Sequence, residues 1–391
     1  MNRPVTRPIH ALNDSNNPKK PEDTLVVVGM SGGVDSSVTA LLLKNAGYKV
    51  VGIFMKNWEE LDERGVCKSS LEFKDVERVC FALDIPYYSI DFIQEYRDNV
   101  FAHFLQEYEL GFTPNPDILC NREIKFNVFL KKAMELGADY LATGHYAQIG
   151  VSGPENQREY SLLRGHDHTK DQSYFLYTLK SDILKKVLFP IGHLEKKEVR
   201  KIAREFNLAT KDKKDSTGIC FIGERNFKEF LSQFIQLKTG AFQTLNGEIV
   251  GTHSGSAYYT IGQRKGLGLG GAGEPWFVVD KNIEKNIVYV ERGDDHPALY
   301  AKELWANEIS FVRDLSHFAF PLNCTAKIRY RQKDVACTIL SLENNMFHVA
   351  FDEPQRAITI RQSIVFYLGE ECLGGAMIAR RGPTLHEQKS N

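Results

Sequence analysis

The chain has 391 residues, 42% of them hydrophobic and 25% charged, with a formal net charge of −1. This composition predicts a sizeable core in about two or three domains and no apolar run of membrane-spanning length, while a near-neutral charge argues neither for nor against a nucleic-acid partner. The seven cysteines are scattered and odd in number, with no C-x-x-C pair. That spacing excludes a zinc knuckle or a thioredoxin-type site, and with no secretion signal it predicts reduced cytoplasmic thiols.

Residues 1–23 are polar and rich in Pro, Asn and Lys, without the apolar centre of a signal peptide, and are expected to be a disordered extension. Arg3 and Arg7, with few acids near them, give only a faint transit-peptide signal. Leu25–Val28 then reads as a buried parallel strand, Gly29–Gly33 as a turn, and Val38, Leu41 and Leu42 as one helical face ended at Gly47. Glycines between a strand and a helix N-terminus suit a phosphate, because free N–H groups and the helix dipole point there. Ser31, Ser36 and Ser37 add hydroxyls. The stretch contains neither G-x-x-x-x-G-K-[ST] nor G-x-G-x-x-G, which excludes a Walker loop and a dinucleotide fingerprint here.

Lys49–Met55 is a second strand, and Val76, Val79, Cys80 and Leu83 share a helical face that makes Cys80 a core residue. Tyr87–Phe92 is a third strand, followed by a long helix carried by Tyr96, Val100, Phe104 and Tyr108. Such alternation predicts an α/β fold whose parallel sheet binds ligands beyond the strand C-termini. Met55–Trp58 sits on that rim, with Met55 the expected adenine contact. In Gly111–Phe126, Pro114 and Pro116 forbid a helix. Asp117 is expected to cap a helix from Ile118, placing Cys120 in its first turn, where the dipole, Arg122 and Lys125 would lower its pKa. Tyr140–Ala147 is another strand running into the rim, where Gly144 would let a nucleotide approach and His145 would face the site. An excess of Lys and Arg from Lys180 to Lys214 leads into Asp215–Gly223, a short crossing in which Lys211, Lys213 and Lys214 would favour a Cys220 thiolate.

Phe227–Ile235 has a helical pattern, and Gly240–Val290 is dense in glycine with short strands, a small second domain. Gly266–Gly271 matches G-x-G-x-x-G only formally, since a turn and a strand follow where that fingerprint requires a helix. Beyond Lys302 only strands are expected, with turns at Glu343–Asn345 and Asp352–Pro354, forming a compact antiparallel β-barrel. Lys327, Arg329, Arg331 and Lys333 alternate and would make one strand face basic, a surface suited to RNA phosphates. The tail after Arg380 is expected to be disordered.

The Ser-Gly-Gly-x-Asp-Ser turn resembles the loop of the PP-loop ATP pyrophosphatases, which split ATP between the α and β phosphates. Further stretches are similar, in the same order, to one family, the tRNA-specific 2-thiouridylases. They are MKNWE from Met55, TPNPDILCN from Thr113, ATGHYA from Ala142, KDQSYFL from Lys170, DSTGICFIG from Asp215 and TIGQRKGLG from Thr260. The resemblance covers nearly the whole chain, from about Leu25 to Ile378. It implies an ATP-binding PP-loop domain over 24–225, a small central domain over 226–300 and a tRNA-binding barrel over 301–380, with a tail over 381–391. It further implies ATP at Gly29, Met30, Ser31, Gly32, Gly33, Val34, Asp35, Ser36, Met55 and Gly144, with Mg²⁺ as a second cofactor to which no residue is assigned. Asn115, Pro116 and Asp117 would meet the target base, with Asp117 as acid or base. Cys120 would act as nucleophile or resolving thiol, and Cys220 would carry a persulfide received from a sulfur-carrier protein. His145, Lys170, Asp171, Gln172, Arg329, Tyr330 and Gln362 would contact tRNA carrying the wobble uridine.

The implied chemistry adenylates the uridine 2-oxygen, delivers sulfur, and leaves a Cys120–Cys220 disulfide for a cellular reductant to open. An alternative uses Asp117, Cys120 and Cys220 as ligands of an iron–sulfur cluster. A small-molecule adenylating ligase and a non-enzymatic tRNA-binding protein are competing readings of the same loop, and oligomeric state is left open.

Overall fold

The structure is a computed structural model that describes residues 5–6, 19–59, 68–154, 157–215 and 227–389. Val5–Thr6 (β1) is an outlying strand. Leu25–Met30 (β2), Lys49–Lys56 (β3), Tyr87–Asp91 (β4), Tyr140–Ala142 (β5) and Val187–Leu188 (β8) form a sheet in the order β4-β3-β2-β5-β8. Every pair in it is parallel. β2 lies at the centre, and Val26, Val27 and Val28 are buried, as a strand covered on both faces requires. Helices Val34–Asn45 (α1) and Lys68–Leu83 (α2) supply the crossovers that parallel pairing needs. Cys80 is buried among Val76, Val79 and Met30, and burial pushes its thiol up to about 12. The expected long helix runs over residues 93–109 with Tyr96, Val100, Phe104 and Tyr108 all buried.

A hairpin, Ala147–Ser152 (β6) and Glu159–Arg164 (β7), leaves this sheet. β1 pairs with β6, so part of the leading extension expected to be disordered is strand. The central domain is a four-stranded sheet of Gly240–Gln243 (β9), Ile249–His253 (β10), Trp276–Asn282 (β11) and Ile287–Arg292 (β12), in the order β10-β9-β12-β11. The glycine-rich stretch from Gly266 runs as loop into β11, with no helix after it.

The last domain comprises Tyr300–Phe311 (β13), Leu322–Lys327 (β14), Val335–Glu343 (β15), Met346–Arg356 (β16), Ser363–Leu368 (β17) and Glu371–Arg381 (β18). Their order β18-β13-β16-β15-β14-β17, closed by β17 on β18, is a six-stranded antiparallel barrel, which leaves no exposed edge. β7 pairs with β18 at Leu163–Glu371 and Leu162–Cys372, docking the first domain onto the barrel wall. Accordingly Val365, Tyr367 and Cys372 belong to the same core cluster as Phe104 and Phe129.

Three expectations fail here for local reasons. The turn at Glu343–Asn345 is present, but Asp352–Pro354 lies inside β16. The pairing shifts there from Ala301–Gln355 to Glu303–Ala350, so the proline sits in an irregularity of the ladder, where its missing N–H is tolerated. The four alternating cations do not share a strand: β14 ends at Lys327, and Gln332 closes a turn by accepting from the Ile328 N–H at 3.0 Å. The tail as far as Lys389 is structured, because Arg381 pairs with Asp280 at 2.9 Å and Glu387 at 2.8 Å and a short helix follows over Leu385–Lys389.

Candidate active site

β2 turns through Ser31, Gly32 and Gly33 into α1. Gly32 has φ +70, and a Cβ there would lie 2.5 Å from the Glu72 carbonyl oxygen, so neither conformation nor space admits a side chain. Gly33 is the N-cap of α1, and no side chain caps it. The first N–H groups of α1 lack intrahelical acceptors, which with the dipole makes an anion site. Ser36 Oγ accepts from the Ser31 N–H at 3.2 Å, and Ser37 Oγ donates to the Gly33 carbonyl at 2.8 Å, which holds the turn closed. Gly29 serves packing: its Cβ would lie 3.1 Å from Phe129 Cε1.

Charged side chains from far along the chain converge on this turn. Lys213 Nζ donates to the Gly32 carbonyl at 2.9 Å and pairs with Asp75 at 2.7 Å. Lys196 Nζ meets both Asp35 oxygens at 2.7 and 2.8 Å, and Tyr146 Oη donates to the same carboxylate at 2.8 Å. Burial, then the adjacent Asp35 charge, push the Tyr146 hydroxyl far above its usual range, so it stays a donor. Lys196 also reaches Asp215 at 2.9 Å, and Asp215 takes Lys170 at 2.8 Å and Arg200 at 2.6 Å. Burial works to raise the Asp215 carboxyl, but hydrogen bonds from Lys170 and Lys196 and their charges hold it well below the carboxylate range. Cys220 and its surrounding segment, 216–226, lie outside the described residues. Five residue steps separate Asp215 from Cys220, a span of at most about 18 Å of chain.

A second chain of contacts leads from the turn to Asp117. Gly144 backs onto α1: its Cβ would lie 2.8 Å from Ser36 N and 2.9 Å from the Asp35 carbonyl carbon. Its side-chain direction is thus filled by protein rather than by a nucleotide. His145 follows, 8% exposed, with Nδ1 2.7 Å from Thr143 Oγ1 and Nε2 3.5 Å from Lys125 Nζ. Burial, and then the Lys125 charge, hold the ring well below its usual pKa, so it is neutral and enclosed. Burial raises the Asp117 carboxyl, and Lys125 partly offsets this. The helix here begins at Pro116, with Asn115 as N-cap and no side-chain cap. Asp117 is therefore inside the first turn, and Cys120 sits one turn later, at the start of a π-helical stretch Cys120–Phe129. Cys120 is 5% exposed, and Arg122 is drawn off to Glu123 at 2.6 Å.

The loop that leads through Thr113 to the helix start at Pro116 is held by the central domain and the barrel. Lys281 Nζ of the central domain donates to the Gly111 carbonyl at 2.6 Å, and Thr260 Oγ1 lies 3.2 Å from Thr113 Oγ1. Gln362 of the barrel donates to the Thr113 carbonyl. Arg329 donates to the carbonyls of Ile261 and Ala357 at 2.9 and 3.0 Å, clamping central domain to barrel. Tyr330 packs on Phe175 with centroids 4.3 Å apart.

Three family models cover most of the chain: the tRNA methyl transferase HUP domain over 24–224, the tRNA methyl transferase PRC-barrel domain over 228–292 and the aminomethyltransferase beta-barrel domain over 301–378. A tRNA-specific 2-thiouridylase from Protochlamydia amoebophila is 59% identical over 366 residues, 94% of this chain and 96% of that protein. The Bacillus subtilis protein of the same name is 56% identical over 360 residues, 92% of this chain and 96% of its own length. The chain belongs to the tRNA-specific 2-thiouridylase family. Within that family frame, the site residues expected from sequence divide in two. The glycine turn, Asp35, Ser36 and Gly144 touch one another, while Asn115, Asp117 and Cys120 lie at the start of a separate helix of the first domain, where Asp117 feels the charge of Lys125 beside His145. Lys170, Asp171 and Gln172 are engaged inside the protein. Asp171 accepts from the Gly165 and Ser173 N–H groups at 3.0 and 3.1 Å, and Gln172 Oε1 accepts from the Tyr146 N–H at 3.0 Å. Met55 lies in β3 and packs on the main core. Tyr146, Lys196, Arg200 and Asp215 are not among the expected site residues, and Lys213, expected beside Cys220, is spent on the Gly32 carbonyl and Asp75. The cation excess over Lys180–Lys214 is the available signal for Lys196, Arg200 and Lys213, but composition does not say that these side chains turn inward to the glycine turn.

Proposed function

We propose that the chain is an ATP-dependent tRNA-uridine 2-sulfurtransferase acting at the wobble position in the cytoplasm. The uncapped N-terminus of α1 beneath a glycine turn, ringed by Lys196 and Lys213, carries this proposal. Gly29–Ser36 would seat the triphosphate, with N–H groups taking charge that develops on departing pyrophosphate. Mg²⁺ bound with the nucleotide would neutralise further phosphate charge, with the Ser31 and Ser36 hydroxyls as the oxygen ligands the turn offers, since Lys196 and Tyr146 already take both Asp35 oxygens.

The uridine 2-oxygen attacks the α-phosphorus, pyrophosphate leaves, and a poor leaving group becomes AMP. The flipped base has to leave its stack to reach Asp117. Asp117, whose carboxyl burial raises, is placed to hold or move a proton at the pyrimidine edge. The terminal sulfur of a Cys220 persulfide, loaded by a sulfur-carrier protein, attacks C2 and AMP departs. Cys120 thiolate then attacks Cys220 Sγ, breaking the S–S bond. Thiouridine is released, a Cys120–Cys220 disulfide remains, and a cellular dithiol reduces it.

The test is incubation with ATP, Mg²⁺, a sulfur source and unmodified tRNA, followed by mass analysis of nucleosides. The expected product is 2-thiouridine, dependent on ATP and lost in Cys120→Ser and Cys220→Ser. Thiolation without ATP, or undiminished in both variants, refutes the proposal.

A further inference from the structure

Cys324 in β14 and Cys337 in β15 are direct partners in the antiparallel ladder of the barrel. Both side chains point into the barrel core, 8% and 3% exposed, in one cluster with Ala326, Ile339 and Phe366. Their sulfurs lie 3.6 Å apart. Residues directly opposite in an antiparallel pair have Cα atoms about 4.5–5.5 Å apart, inside the range of about 4.4–6.8 Å that a disulfide spans. The backbone is thus already placed for the two sulfurs to bond. The contact with Cys324, and then burial, push the Cys337 thiol far above its usual range, so it keeps its proton. Cys324, the more exposed of the two, is the sulfur that an oxidant meets first. Cys80 and Cys372 belong to other core clusters, so neither competes for this pairing.

We propose that Cys324 and Cys337 are a site of reversible oxidation, at which a hydroperoxide closes a cross-strand disulfide that staples this wall of the barrel. The site is independent of the thiolation chemistry proposed above. Hydrogen peroxide is close to water in size, and a core position this enclosed admits little that is larger. Cys324 Sγ, as thiolate, attacks one peroxide oxygen and the O–O bond breaks. The departing hydroxide takes up the Cys324 proton as water, and Cys324 becomes a sulfenic acid. Cys337 Sγ then attacks Cys324 Sγ, the S–O bond breaks, and a second water leaves with the Cys337 proton. Two thiols give up two electrons to one peroxide, and one disulfide and two waters result. A cellular dithiol reverses the change by exchange. The bond joins the two strands that flank residues 328–334, from which Arg329 reaches the Ile261 and Ala357 carbonyls. Its partners are 13 residues apart in sequence, so the staple removes freedom from the unfolded hairpin and strengthens the folded one against opening.

The experiment treats the folded full chain with hydrogen peroxide, alkylates the remaining thiols in denaturant and maps the peptides by mass spectrometry. Thermal midpoints are recorded before oxidation, after it, and after return to dithiothreitol. The Cys324 and Cys337 peptides are expected to be joined, with the mass of two hydrogens lost. The midpoint should rise by about 5–10 °C and fall back on reduction. Cys324→Ala and Cys337→Ala should show no such rise, and where either variant folds poorly the wild-type map and midpoint decide alone. Alkylation of both cysteines in the treated protein, Cys324 carried to a sulfinic acid without linkage, or linkage of either to a different cysteine overturns the proposal. So does a joined pair with an unchanged midpoint, or the same rise in the alanine variants.

Discussion

Gly144→Ala separates a packing requirement from a ligand requirement. A Cβ at Gly144 would lie 2.8 Å from Ser36 N, 2.9 Å from the Asp35 carbonyl carbon and 3.1 Å from Asp35 Cβ. The nearest two are backbone atoms of the first turn of α1, which cannot rotate aside, so the helix start has to shift by some tenths of an ångström. Overpacking of this kind costs about 1–3 kcal/mol, offset by about 0.4–1 kcal/mol from the stiffer unfolded chain. At about 2–4 °C per kcal/mol for a unit of this size, the net cost of about 0.6–2 kcal/mol should lower the midpoint by roughly 1–8 °C. The same shift moves the N–H groups proposed to hold phosphate, so KM for ATP in AMP formation should rise. Gly33→Ala is the control, since its Cβ meets only Ser31 Oγ at 3.3 Å, a side-chain atom that can turn away. Thermal denaturation and ATP titration of both variants decide the matter. Wild-type midpoint and KM in Gly144→Ala, or an equal loss of stability in Gly33→Ala, would refute the steric reasoning.

Lys281 titrates from about 8 in the folded protein, lowered from 10.5 by burial and partly restored by Asp280. Between those values the unfolded chain binds more protons, so stability should rise with pH across the window. Lys281→Met should lack that rise in denaturant titrations at pH about 8 and about 10, and parallel curves would contradict it. Cys80→Ser, at a buried thiol, should cost about 1–3 kcal/mol of stability with unchanged thiolation per folded molecule, measured by denaturation and turnover. Arg329→Ala should lower the thermal midpoint without changing the salt dependence of tRNA binding, because its guanidinium is spent on Ile261 and Ala357. Arg331→Ala, at an exposed cation, should reduce the slope of log K against log salt by about 0.9 if it meets a phosphate.

The parallel sheet, the helix over 93–109, the core place of Cys80 and the closed barrel were legible because hydrophobic period and turn residues act locally. The corrections came where a local signal had two outcomes. Asp352–Glu353–Pro354 marks a break in regular pairing, but a break can be a reversal or an irregularity within a strand, and neighbouring β13 decides which. Alternation of Lys327, Arg329, Arg331 and Lys333 suits a strand, yet the Gln332 side chain closes a turn there. The lattice around the glycine turn was hidden for another reason. Lys196 meets Asp35 across 161 residues and Lys213 meets Gly32 across 181, pairings that only the tertiary fold creates.

The Thr113–Pro–Asn–Pro–Asp117 stretch shows why a site in the first domain needs the other two. Pro114 and Pro116 have no N–H, so the loop can join neither a sheet ladder nor a helix interior. It retains carbonyls, and these need donors from elsewhere. Lys281 supplies one at Gly111 and Gln362 another at Thr113, from the central domain and the barrel respectively. Arg329 then links those two domains to each other, so the donors are set at a fixed spacing. The loop up to Asn115 is thereby positioned by acceptor contacts to outside domains, so how the domains dock sets where the helix start at Pro116 is presented. Pro116, whose missing N–H suits the first position of a helix, then starts the turn that carries Asp117, so the place of that carboxyl depends on the domains that hold the loop before it.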